Sequence, residues 1–111
     1  MNRLIKHIER EIAMPLRKQV DHRSGEIVTK ALVQTEHVQM TLYALDKEER
    51  IATHKIKGEI FVYIIEGTAQ FTIGEEVNIV TGGEVIVIPN EKPHAVLALE
   101  SFKMLVVTIM E

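Results

Sequence analysis

Apolar positions along the chain change their period once. Over residues 2–13 (NRLIKHIEREIA) Leu4, Ile5, Ile8 and Ile12 recur at helical spacing, with Lys6, Glu9 and Arg10 opposite. Asn2 stands where an N-cap would, and Pro15 closes the pattern. The spacing predicts a short amphipathic turn or helix. A helix of that length is marginal alone, so it must lie against the rest of the chain or against a partner subunit. A polar turn follows at DHRSG, residues 21–25.

From Glu26 onward the period is two. Ile27–Gln34 predicts a strand, and residues 35–37 turn the chain. Over 37–45 Met40, Leu42 and Ala44 share one face and Gln39, Thr41 and Tyr43 the other. The charged run DKEER (46–50) predicts a loop tip. Short strands are predicted at 59–66, 69–73, 76–80, 84–88, 94–99 and 102–110. They are separated by Gly67, by Gly74, by Gly82 and Gly83, by residues 89–93, and by Glu100 and Ser101. This succession predicts an antiparallel sandwich or barrel rather than an α/β fold. Residues 60–65 (IFVYII) and 102–109 (FKMLVVTI) are apolar on both faces, so both faces should be covered. One cover is the barrel interior and the other a second sheet or a second subunit, which makes a homodimer the expected assembly.

Composition narrows the function classes. At 111 residues the chain is expected to be one domain. It has no cysteine, which excludes disulfides, thiolate metal sites and cysteine nucleophiles. The longest apolar run, 60–65, is too short for a membrane-spanning helix, and no succession typical of a secretory signal opens the chain, so no membrane partner and a cytoplasmic location are expected. The net charge of −3 is uneven: residues 1–23 carry six Lys or Arg against three acids, and the remainder seven against thirteen. A mildly acidic body without a basic and aromatic stripe points away from nucleic acid.

Two stretches carry the chemistry, THKIKGEIFVYIIEG (53–67) and GGEVIVIPNEKPHAV (82–96), joined by AQFTIGEEVNIV. Together they resemble the two motifs of the cupin family. The first family motif is His, one residue, His, a short gap, Glu, six residues, Gly. Anchored on Gly67, it falls on His54, Ile56, Ile60 and Gly67. The second is Gly, five residues, Pro, one residue, Gly, two residues, His, three residues, Asn, and falls on Gly83, Pro89, Glu91, His94 and Ala98. The resemblance covers residues 26–110. It implies an all-β cupin-type double-stranded β-helix, or jelly-roll barrel, over residues 26–111. Residues 1–25 would form a short helical or extended segment packed on the barrel or on the partner. More narrowly, ALDKEE (44–49), VYIIEG and PHAVLALESFKMLV resemble a subgroup of small stand-alone cupins without an assigned activity.

A complete family metal site uses both motif-one histidines, the glutamate and the motif-two histidine. Only His54 and His94 are kept here. Two imidazoles are fewer than the three protein ligands of a typical catalytic site. Glu59 would supply a third ligand if a bulge at Gly58 turned it inward, giving His54, His94 and Glu59 as candidate ligands for one divalent transition metal (Fe, Mn, Ni, Zn or Cu). The same two imidazoles serve equally well as hydrogen-bonding groups for a small molecule with no metal. The apolar residues at the lost ligand positions, Ile56 and Ile60, join Met40 and Val96 as the candidate ligand pocket.

His7, His22 and His37 lie in polar surroundings and are expected to be solvated. Ser24 and Ser101 lack a nucleophile context, and GGEV precedes a strand rather than a phosphate-binding helix. The expected function is therefore binding of a small molecule, with or without a divalent metal, and no catalytic residue is assigned. The alternatives are a metal-dependent enzyme of oxygenase or isomerase type, and a metal-free structural or sensor module.

Overall fold

The computed structural model describes residues 3–111, so the N-cap expected at Asn2 lies outside the described residues. Nine strands follow one another: β1 (Ile27–Gln34), β2 (Val38–Leu45), β3 (Arg50–His54), β4 (Glu59–Glu66), β5 (Thr68–Ile73), β6 (Glu76–Thr81), β7 (Val85–Ile88), β8 (His94–Ala98) and β9 (Phe102–Ile109). They form a five-stranded sheet in the order β1-β2-β9-β4-β7 and a four-stranded sheet in the order β3-β8-β5-β6. Every pairing is antiparallel. The strand pattern predicted an antiparallel sandwich or barrel, and the fold is the all-β jelly roll that the family resemblance implied.

The main core lies between the sheets. In β4 the inward positions Ile60, Val62 and Ile64 are buried, as are Phe71 on β5, Ile88 on β7, and Phe102 and Met104 on β9. Burying each such side chain contributes about 1.5–3 kcal/mol, which offsets the ordering of the strands that carry it. The sharp passage from β4 to β5 needs Gly67. Its φ is +89°, and a side chain there would collide with the carbonyl of Ser101 and with Phe102.

A second apolar cluster lies on the outer face of the larger sheet. Leu32, Val33, Leu42 and Ala44 are covered there by Val20, Leu16 and Ile8 from the N-terminal segment, and Ile65 and Leu105 pack against them. The outer faces of β4 and β9 are thus half covered by the chain's own beginning. The other half is bare, with Phe61, Val85, Val87 and Ile109 each 44–51% exposed.

The N-terminal segment is an irregular run of bends, not a helix. Among the described residues its only helical piece is a 3-10 turn at Leu16–Lys18. His7 and Glu11 have φ of 62° and 63°, which no right-handed helix accommodates. The Lys6 N–H donates to the Leu32 carbonyl at 2.7 Å, which ties the segment to the β1 edge at that point. Of the four apolar residues at helical spacing, only Ile8 packs on the body, while Leu4, Ile5 and Ile12 stay exposed. Two lysines anchor the end of the segment. Lys30 Nζ donates to the Gln19 carbonyl at 3.1 Å, and the buried Lys103 donates its Nζ hydrogen to the Arg17 carbonyl.

One strand departs from the expected pattern altogether. β3 meets the expected loop tip (46–50) at Arg50 and otherwise runs through residues for which no strand was predicted, ending at His54. Only Ile51 in it is apolar and half-buried, which leaves no alternation to read.

Candidate functional site

Between the sheets, a cavity of about 120 Å³ opens beside His54 and His94. Its walls are set by strand parity. From β4 come Ile60 and Val62, from β8 His94 and Val96, and from β9 Met104, Val106 and Thr108, each set two residues apart and facing the same way. β2 contributes Gln39, Thr41 and Tyr43, and Phe71 and Ile88 lie across the space. The wall is mostly apolar with a few polar groups, the ordinary composition of a small-molecule site.

His54 reaches this cavity through an irregularity in β3. Ile51 pairs with Val96, but His54 pairs with His94, so three steps along β3 match two along β8. Ile51 and His54 would face opposite ways on a regular strand, yet both line the cavity. The extra residue is a β-bulge, and it turns His54 inward. The two imidazole centroids then lie 4.3 Å apart with planes tilted by 54°. His54 is exposed and His94 is buried, which puts His54 at the solvent side of the pair.

Both rings are oriented by their own backbone. Nδ1 of His54 donates to the Ala52 carbonyl and Nδ1 of His94 to the Lys92 carbonyl, each at 3.0 Å. Burial lowers the pKa of His94 from its ordinary value; the charge on a protonated His54 acts in the same direction, and the Lys92 carbonyl opposes both. Burial likewise raises the pKa of Tyr43, keeping its phenol protonated.

The residues expected at the site divide clearly. His54, His94, Ile56, Ile60 and Val96 all line the cavity. Met40 does not: it packs in the outer cluster with Leu42 and Ala44, because the polar face of β2 is the one turned inward. Glu59 is also misplaced as a ligand. Ile60 next to it points into the barrel, so Glu59 points out and lines a surface groove with Lys57, Asn90 and Glu91. The bulge that was needed at Gly58 lies instead between Ile51 and His54, and it brings in a histidine, not a carboxylate. Among the described residues no group of three or more His, Cys, Asp or Glu side chains is gathered that could hold a metal ion. A divalent cation at this place would find two imidazoles and, at the other two family ligand positions, the side chains of Ile56 and Ile60. That donor set does not fit the three-ligand sites of catalytic metals.

Gln39, Thr41 and Thr108 were not anticipated as lining residues. Their signal was an inverted one, polar residues at regular alternation in β2 and a lone threonine in the otherwise apolar end of β9. Another trace of the family pattern survives in the backbone. Glu91, which stands at the second motif's inner glycine, has φ of 55° and donates its N–H to the Ile56 carbonyl at 2.9 Å. The loop has kept the left-handed turn while losing the residue that adopts it most easily.

Comparison with known proteins agrees with this architecture. The family described as "Cupin domain" matches residues 41–110. A crystal structure of a conserved protein of unknown function from Streptococcus pyogenes superimposes with a TM-score of 0.97 at 33% identity, covering 99% of this chain and 96% of that one. A cupin superfamily protein from Desulfitobacterium hafniense gives 0.93 at 25% identity, with 96% and 98% covered. A cupin 2 conserved barrel domain protein from Leptotrichia buccalis gives 0.83 at 34% identity over 85% of this chain and 46% of its own length. No curated protein matches the chain in sequence. With a jelly roll of this topology, both family motifs in register at the cavity and a family match over more than half its length, the chain belongs to the cupin family.

Proposed function

We propose that this cupin binds a small, mostly apolar molecule inside the barrel, without a resident metal. The observation that supports the reading is the cavity of about 120 Å³, walled by apolar side chains and carrying two imidazoles on one side. A cavity of about 150 Å³ holds benzene, so the ligand is a molecule of one small ring or one that projects past His54. Ile56 and Ile60 favour such a ligand over a cation, since they replace two ligand side chains with hydrocarbon. The site serves a binding or sensing role in this reading, located in the cytoplasm.

Two measurements test it together. Untagged protein, analysed for metals by mass spectrometry, should carry far less than one equivalent of Fe, Mn, Ni, Zn or Cu. Single-ring compounds at a hundred times their Kd should stabilise it by about 2.7 kcal/mol. The variant Val96→Phe, which fills the cavity, should abolish that gain. Near one equivalent of metal, lost on replacing both histidines, would overturn the metal-free reading and favour the alternative, a metal-dependent enzyme of oxygenase or isomerase type.

The bare half of the outer sheet supports a homodimer as part of the same proposal. Phe61 pairs with Val87 on one side and Val107 on the other, and Val85 and Ile109 extend the apolar strip. The strip adjoins the cluster capped by the N-terminal segment, so a second copy would complete a cover already half made. Among the described residues no helix is long and apolar enough to cross a membrane.

A further inference from the structure

Each imidazole in the cavity commits the same nitrogen to its own backbone. The Ala52 and Lys92 carbonyls stand 3.0 Å from Nδ1 of His54 and of His94 respectively. A carbonyl oxygen has lone pairs and no hydrogen, so Nδ1 carries the proton in both rings. In a neutral imidazole so fixed, Nε2 carries a lone pair and no hydrogen. With ring centroids 4.3 Å apart, two acceptor-bearing rings stand side by side at the cavity wall.

The rest of the wall offers no formal charge. Its other polar members are Gln39, Thr41, Tyr43 and Thr108, and no Lys, Arg, Asp or Glu is among the lining residues. A carboxylate or phosphate entering here would meet the neutral donors of Gln39, Thr41, Tyr43 and Thr108 and the two Nε2 lone pairs, but no Lys or Arg. An ammonium would meet acceptors but no anion. Either charge would exchange its hydration for neutral partners alone, a larger penalty than burying a neutral polar group that finds one partner. A purely hydrocarbon ligand has the opposite fault, since it strips water from the two Nε2 atoms and returns no donor.

We infer that the cavity selects a neutral molecule of about one ring whose single hydroxyl or N–H group donates to Nε2 of His54 or His94. This rests on the ligand-binding reading above and names its substrate class. The histidines act as paired acceptors, and Ile56 and Ile60 hold the ring against them.

The test uses the full chain, labelled with 15N in histidine, at pH 7.5. Long-range 1H–15N correlation should show both rings as the Nδ1–H tautomer. Titration with phenol, toluene and benzoate, which share one ring, should give phenol at least tenfold the affinity of toluene and of benzoate. His54→Leu combined with His94→Leu should erase the preference for phenol while toluene still binds. If that pair fails to fold, His54→Leu alone, at the exposed ring, should reduce the preference severalfold. Equal affinity for phenol and toluene, tighter binding of benzoate, or Nε2–H tautomers would overturn the donor inference and leave the apolar cavity reading standing. Binding of none of the three would overturn both.

Discussion

His54 and His94 face each other across the β3–β8 pair as register partners, with their ring centroids 4.3 Å apart. Forty residues separate them in sequence, and the contact exists only because β3 carries one residue more than β8 between Ile51 and His54. The pair is the polar element on which the proposed chemistry depends, and it makes the first prediction a matter of pH.

Because burial lowers the His94 pKa, the unfolded chain binds a proton more readily than the folded one at mildly acidic pH. The contribution of His94 to stability is therefore complete above its ordinary value of 6.5 and falls as pH drops from there through the folded value. Urea midpoints measured from pH 8 to pH 5 should decline in that window, and His94→Gln should flatten the decline. The carboxyls of Asp46 and Glu84 are lowered by hydrogen bonds from Gly25 and Thr81 and act below 3.8 and 4.5, outside it. An unchanged slope in the variant would remove His94 from the account.

Restoring the two missing family ligands should create a metal site. Ile56 and Ile60 already line the cavity with His54 and His94, so Ile56→His with Ile60→Glu would add one imidazole and one carboxylate and bring the set to four ligands. Without metal the buried Glu should destabilise the protein by about 3–5 kcal/mol. Added Mn or Ni should recover most of that loss and appear near one equivalent by elemental analysis. A variant that takes up no metal would show that the family register at these positions is not what it is argued to be.

Lys103 is buried and its ammonium donates to the Arg17 carbonyl, fastening the N-terminal segment to β9. Lys103→Ala should lower stability by about 2 kcal/mol, the typical worth of a hydrogen bond to a charged group. It should also expose residues 3–20 to protease while the barrel remains intact. Uniform resistance along the segment would mean that Ile8, Leu16 and Val20 hold it unaided.

The bare strip gives a mass. Light scattering should find the protein at twice 12.6 kDa, and Phe61→Glu should return it to 12.6 kDa and remove the concentration dependence of its melting temperature. A monomeric parent chain would leave the exposed Phe61 and Val87 without this explanation.

Much of the fold was legible because its signals are local. Gly74 between Ile73 and Glu75 marks the β5–β6 turn, and the apolar run of β4 marks a strand, although its outer face stays partly bare at Phe61. The two motif histidines could be placed at one cavity by their family positions alone. The N-terminal segment misled for a physical reason. Its helical spacing is real, but so short a helix has little stability of its own, and an irregular, bent course lets Lys6 use the β1 edge and Ile8 reach the outer sheet. β3 was silent because an exposed edge strand with one apolar residue has no alternation to show.

Sequence by itself determined eight of the nine strands and their order, since period and turn residues act over a few positions. It also determined which chemistry was missing, with no cysteine and with isoleucine at two ligand positions. Tertiary structure alone decided which face of each strand became the inside. An alternating strand such as β2 has two self-consistent orientations, and only the competing demands of two clusters turned Gln39, Thr41 and Tyr43 to the cavity and Met40 away from it. The same holds for Glu59 and His54. A single inserted residue reverses a side chain's direction, and the position of that residue is set by the pairing of distant strands, which no local pattern records.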